Sequence, residues 1–435
     1  MEPLAPKYRV YIRLMGNQES FADVDSIHGK IGCTGCHGGI SPVDEGSDAA
    51  AMNAAHQGMV RDPSEDAETS CGGGLCHGDI ARRNATSIHT NLWGEKAHVA
   101  QRYGGEGFTF DQCPESTKSG YQANCYGCHT SCGQCHISRP TTAGGGFAGS
   151  TLGGNHKFIR EPSETYNCTA CHGGRIGMDW AGTIEGNQPD VHKIFGMTCT
   201  DCHTEDFHGD GPGDAQYTSR YEVDGLPDCY TSCHGADSDD NLYHQAHWAG
   251  QGTSGDITCY ACHSQQYDNC NTCHAGSYTE EYNQPGGYKV YQDFKIGLNP
   301  NYGISGKTHN HEKWIVVRHI PVSRDAYKNW GLETLAYYES IPTYKYTSPH
   351  NIQRWTSRTL ADSTWLLPDS TSYTAQTCAD NCHYHRVNVP GNPQATFYLL
   401  SAQMDNLEQS DEKGANANVT LDDNGSVQCA HCHNH

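Results

Sequence analysis

Eleven times along the chain a pair of cysteines is followed at once by a histidine, and these eleven units use 22 of the 23 cysteines. Eight pairs have a two-residue gap: Cys33 and Cys36 before His37, Cys125 and Cys128 before His129, Cys132 and Cys135 before His136, Cys168 and Cys171 before His172, Cys199 and Cys202 before His203, Cys259 and Cys262 before His263, Cys270 and Cys273 before His274, Cys429 and Cys432 before His433. Cys229 and Cys233 before His234, and Cys378 and Cys382 before His383, have a three-residue gap. Cys71 and Cys76 before His77 have a gap of four. Covalent haem attachment needs this grouping: two thiols add to the two vinyl groups, and the adjacent imidazole reaches the iron. A longer gap bulges the loop but leaves the second cysteine beside its histidine. Structural zinc does not require a histidine after every second cysteine. A disulfide framework would not couple cysteine to histidine, and iron–sulfur clusters use other spacings. The pattern therefore predicts eleven covalently attached haem c groups. Cys113 stands outside it and reads as a buried or unpaired thiol.

Each iron has a sixth position to fill. Eleven of the 27 histidines belong to the motifs, which leaves sixteen. The expected second ligands are His28, His56, His89, His98, His156, His192, His208, His244, His247, His319 and His350, so that each iron is held by two imidazoles. His385, His431 and His435 crowd motifs whose own geometry constrains them, and His309 and His311 compete for one place. With only seven methionines in the chain, imidazole is the better-supplied ligand. Several candidates precede a motif closely: His28 by five residues, His192 by seven, His156 and His247 by twelve. Such a histidine is expected to ligate a neighbouring haem rather than its own.

Of the 435 residues, 35 % are hydrophobic, against roughly 45–50 % in ordinary globular chains on a slightly different residue set. Porphyrins would supply the missing interior. The fold expected is mostly coil, with short helices and a few strands wrapped around a chain of haems. The 49 glycines interrupt nearly every segment. A formal charge of −22 argues against nucleic acid or anionic lipid as partners, and no apolar run is long enough to span a membrane. The start, Met1-Glu2-Pro3-Leu4, carries no signal-peptide pattern. Haem attachment takes place outside the cytoplasm, so export with removal of a signal is expected, to the cell surface or beyond rather than the periplasm.

Four regions follow from the motif positions: 1–140 with haems one to four, 141–275 with haems five to nine, 276–377 without cysteine and rich in Tyr and Trp, and 378–435 with the last two haems. Residues 1–20, with the run 8–14, alternate like one short strand, and Gly144-Gly145-Gly146 reads as a joint. In the haem-free insert, Trp314-Ile315-Val316-Val317 predicts a strand and 323–340 a helix, around an aromatic core. His319 and His350 are expected to reach from this insert to haem irons.

With its eleven motifs and sparse secondary structure, the chain resembles bacterial and archaeal extracellular multihaem cytochromes. Arg318-His319-Ile320-Pro321-Val322 and Ser348-Pro349-His350-Asn351-Ile352-Gln353-Arg354 are similar to segments of a broad multihaem family that includes octahaem reductases. His28, just ahead of the first motif, resembles the N-terminal arrangement of OmcS- and OmcE-like filament-forming cytochrome nanowires. That resemblance implies that His28 ligates a haem of the adjacent subunit. The function expected is long-range extracellular electron transfer, as the subunit of a head-to-tail homopolymer, rather than catalysis. Partners would be further copies, redox proteins or extracellular acceptors. The alternatives are a reductase with one open-site haem, acting on a small nitrogen or sulfur oxyanion, and a non-polymeric periplasmic carrier. A lysine in place of a motif histidine would favour the reductase, and none of the eleven motifs has one.

Overall fold

The structure is a computed structural model. It describes residues 27–40, 54, 56–74, 76–126, 131–139, 156, 158–204, 207–209, 226–235, 244, 247, 257–270, 290–305, 307, 309–322, 324–356, 358–359, 397–405 and 412–421. The alternating stretch at 8–14 and the triple glycine at 144–146 lie outside these residues.

Short helices, a small three-stranded sheet and much irregular backbone make up the described chain, as the composition leads one to expect. No described helix is long and apolar enough to cross a membrane. The chain divides into two units that interleave in sequence. The first comprises 1–94, 122–173 and 206–217; the second comprises 95–121, 174–205 and 218–435.

The second unit holds a layered apolar core. Strands β3 (Lys295–Leu298), β4 (Trp314–His319) and β5 (Tyr344–Tyr346) form an antiparallel sheet with β4 in the middle. A separate pair joins β1 (Tyr267–Cys270) to β2 (Val290–Asp293). All six residues of β4 are buried, because successive side chains point to opposite faces and both faces are covered. Trp314 and Val316 pack with Tyr267, Phe294, Ile296, Tyr398 and Leu400 on one side. Ile315 and Val317 pack with Tyr344, Leu399, Met404 and Val419 on the other. Each such side chain contributes roughly 1.5–3 kcal/mol when fully buried. The core thus draws on 397–421 as well as on the haem-free insert. Gly297 in β3 makes the approach possible: a Cβ there would meet Val419 at 3.0 Å and Val317 at 3.1 Å.

The expected strand at 314–317 is present, but the expected helix over 323–340 is not. That stretch runs as turns, with 3-10 segments at Lys328–Trp330 and Tyr338–Ser340. The first ends at Gly331, whose φ of 80° leaves the helical region. The side chains still pack inward: Tyr327 stacks on Trp330 at 4.4 Å, and Leu332, Leu335 and Tyr338 are buried.

Behind β4 lies a buried ion pair. The Arg318 guanidinium donates to Asp179 over 2.9 Å with both side chains almost wholly buried, and it stands over the Tyr267 ring. Burial outweighs Arg318 and raises the Asp179 carboxyl to about 6. Breaking such a pair leaves one charge buried alone, which costs about 3–5 kcal/mol, whereas replacing both partners with apolar groups is often neutral or stabilising. Arg318→Met is therefore expected to lower urea-unfolding stability by that amount at pH 7, and Arg318→Met with Asp179→Leu to restore most of it. Equal stabilities for the single variant and the parent would contradict this reading.

Candidate functional site

Four motifs are wound into a turn by a capping residue just ahead of them. Ser131 and Thr198 form capping boxes with Gln134 and Asp201 before the helices Cys132–His136 and Cys199–Cys202. The Ser163 hydroxyl accepts from the Tyr166 N–H at the start of Glu164–Cys168. The Asp228 carboxylate accepts from the backbone N–H groups of Tyr230 and Thr231 before Cys229. The caps satisfy donors that a one-turn helix leaves unpaired. A helical turn then places residues three and four apart on one face, so the two thiols and the imidazole of a two-residue-gap motif project together.

The longer motifs reach the same end by other means. Cys229–His234 winds as a π-helix, whose wider turn absorbs the extra residue. After Cys71 the chain turns through Gly72, Gly73 and Gly74, with Gly74 at φ 64°. The His77 N–H closes the loop on the Cys71 carbonyl at 3.0 Å.

The motif cysteines whose side chains are described carry thiols rather than disulfides, as addition to vinyl groups would require. Cys36, Cys125 and Cys262 are half-buried, and Cys76, Cys171 and Cys233 are exposed. Cys128, Cys273, Cys378, Cys382, Cys429 and Cys432 lie outside the described residues, as do His129, His274, His383 and His433.

Seven motif histidines lie among the described residues, and each faces one histidine from outside the motifs. In the first unit the pairs are His37 with His156, His77 with His28, His136 with His208, and His172 with His89. In the second they are His203 with His350, His234 with His192, and His263 with His244. Ring centroids are 5.9 to 6.3 Å apart in all seven. Two metal–nitrogen bonds of roughly 2 Å, plus about 1 Å from each nitrogen to its ring centre, give roughly 6 Å. Two imidazoles on opposite sides of one iron fit that spacing, and the paired thiols fit the thioether bonds of haem c. Among the described residues no three His, Cys, Asp or Glu side chains converge to hold a metal ion by themselves. Two axial imidazoles suffice where a porphyrin supplies the remaining ligands. The residues present therefore fit the group that the sequence implies.

Thiols from different motifs also lie side by side. A hydrogen bond between the Cys71 and Cys132 thiols pulls Cys71 down to about 6 and pushes Cys132 up. A second such bond pulls Cys229 down and pushes Cys259 up. Burial raises Cys135 to about 11, with Cys168 adding to it. It raises Cys202 as well, with Cys233 and Cys229 nearby. In the first unit, neighbouring motifs thus run from Cys71 with Cys76, to Cys132 with Cys135, to Cys168 with Cys171. In the second the succession runs from Cys199 with Cys202, to Cys229 with Cys233, to Cys259 with Cys262.

Hydrogen bonds hold the far side of several rings. The Nδ1 groups of His37, His136, His263 and His350 donate to the carbonyls of Val60, Ile159, Gln353 and Ser348 at 2.8 to 3.1 Å. This fixes the tautomer and leaves Nε2 for a metal. Burial lowers the pKa of His136 and of His263, which favours neutral imidazole. His192 differs: its Nδ1 donates to the Asp190 carboxylate at 2.8 Å, and that bond raises its pKa.

One short strap serves three pairs in the second unit. His350 faces His203, the Ile352 N–H holds Asp190 beneath His192 at 2.7 Å, and the Gln353 carbonyl holds His263. Asn351 anchors the strap by donating to the Gln266 carbonyl and accepting from the Gln265 N–H. Sequence reasoning singled out His350 but missed Asp190 and Gln353. The available signal for Asp190 was its place two residues before His192, at the N-cap of Val191–Ile194.

His319 is not among the seven pairs: its Nε2 donates to the Glu412 carboxylate at 2.6 Å with both side chains buried, and its ring stacks on Tyr344 at 4.3 Å. The nitrogen an iron would need is taken by a carboxylate. His28 faces His77 of its own chain and packs on Phe158. His56, His98 and His247 are not among the seven pairs. Cys113 is buried, which raises its pKa. No protein-family model, no curated protein and no solved structure matches the chain.

The pairings predict that His208→Ala, in the oxidised haem-loaded chain, produces a high-spin ferric signal from one iron in electron paramagnetic resonance. His319→Gln, which keeps a donor for Glu412, is expected to leave the spectrum as in the parent. A new high-spin signal from His319→Gln, or none from His208→Ala, would refute the assignment.

Proposed function

We propose that the chain is a multihaem c-type cytochrome carrying eleven haems and working as an electron conduit outside the cytoplasm. The observation that carries this reading is the pairing of all seven described motif histidines with a second histidine. Haem c held by two imidazoles supplies an iron that changes valence without exchanging ligands. A reductase needs one iron with an open or weakly held position, and the pairs argue against that at seven of the eleven motifs.

The protein's own part is attachment and spacing. The cysteine pairs tether each group, the short turns aim the motif imidazole, and a histidine from elsewhere in the chain closes the opposite side. Because His28, His156 and His192 each precede one motif and face another, ligation ties neighbouring sites together. The adjacent thiols of Cys71 with Cys132 and of Cys229 with Cys259 support close spacing of successive groups. A polypeptide charge of −22 suits partners that are not polyanions.

Assembly into a head-to-tail filament is the finer form of this proposal. A heterologous contact that does not close would give an open polymer, and support comes from the resemblance to filament-forming cytochromes. In this reading His28 serves its own chain, opposite His77, and another group crosses between copies. Intact mass spectrometry of the denatured protein is expected to give the polypeptide mass plus eleven haems, and the bare polypeptide mass would end the proposal. For the filament, electron microscopy across a concentration series is expected to show polymers, and discrete particles at every concentration would remove that part.

A further inference from the structure

Of the five paired histidines whose Nδ1 partner is seen, four lean on a backbone carbonyl and one, His192, on a carboxylate. Asp190 is only 1 % exposed. Its Oδ1 accepts from both the backbone N–H and the Nδ1 of His192, each at 2.8 Å. Its Oδ2 accepts from the Ile352 N–H at 2.7 Å. Both carboxylate oxygens are therefore committed, and the side chain is locked in register with the ring it supports. The neighbouring backbone reinforces this: the Val191 N–H donates to the Ile352 carbonyl at 2.9 Å, and the Gln353 amide donates to the Pro189 carbonyl at 2.6 Å.

A buried carboxylate on the far nitrogen draws the Nδ1 hydrogen toward itself and makes Nε2 a stronger donor to a metal. It also places negative charge close to the site in a poorly screened interior. Both effects stabilise the ferric over the ferrous state. The hydrogen stays on Nδ1 throughout, so no proton need leave with the electron.

We propose that Asp190, acting through its hydrogen bond to His192, is a positioning residue that lowers the reduction potential of the iron held by His192 and His234. The comparison is with irons whose ligands donate to backbone carbonyls. This rests on the haem reading above. In the order of adjacent thiols that site, on Cys229 and Cys233, lies between the site on Cys199 and Cys202 and the site on Cys259 and Cys262. Its potential therefore sets the step on both sides.

The test uses the full haem-loaded chain. A pyridine haemochrome count on the parent comes first; absence of covalent haem would defeat the function proposed above, a failure distinct from a wrong role for Asp190. Asp190→Asn keeps an N-cap oxygen and removes the charge. Spectroelectrochemical titration is expected to show one component moved to higher potential, the others unmoved and the irons still low-spin. Asp190→Ser, which also keeps a capping oxygen, is expected to shift the same component in the same direction. In a His192→Met background, which has no Nδ1–H, Asp190→Asn is expected to shift that component by less than half as much. An unmoved titration for both single variants, or a shift of half or more in the His192→Met background, would overturn the proposal.

Discussion

The described sites depend on holding two imidazoles about 6 Å apart, the separation that one metal ion with roughly 2 Å bonds would require. Each half of that distance is built differently. The motif histidine is fixed locally, by a short turn that also presents its two thiols. The opposing histidine is fixed at long range, by backbone from a different part of the chain. A single turn needs no apolar core beneath it, so the sites of the first unit stand without a sheet among the described residues. In the second unit the insert and residues 397–421 bring Trp314, Val316, Tyr344 and Leu399 together around one.

The opposing histidines also explain how so irregular a backbone keeps its shape. His156 faces His37 across more than a hundred residues of sequence, and His350 faces His203 likewise. Bonds to an iron at such points would act as cross-links, restricting the unfolded chain most where the closed loop is longest. The strap from Ser348 to Gln353 concentrates this effect. It carries His350, supports the carboxylate beneath His192 and receives the Nδ1–H of His263.

The local half of this arrangement was legible in the sequence, and the long-range half was not. The cysteine–cysteine–histidine grouping marks each expected attachment point, and the run Trp314 to Val317 marks the central strand. All seven opposing histidines belong to the set expected to ligate. Their pairing could not be read, because spacing says nothing about which turn a distant imidazole meets. His319 shows the limit most clearly. In sequence it is one more spare histidine beside Arg318, and only a buried Glu412, 93 residues away, reveals that its nitrogen is engaged. The helix expected at 323–340 fails for a related reason: apolar spacing suits a helix, but Gly331 turns the backbone out of it. Resemblance makes His28 a link between copies, whereas the turn ahead of Cys33 sets it opposite His77 of the same chain.

The central claim is that paired imidazoles hold every iron. Near-infrared magnetic circular dichroism of the fully oxidised chain measures the axial ligands of low-spin ferric haem directly. The account predicts a single class of charge-transfer band, that of two histidines, with intensity matching the haem count. A band from methionine–histidine ligation, or intensity well below that count with high-spin iron making up the difference, would contradict it.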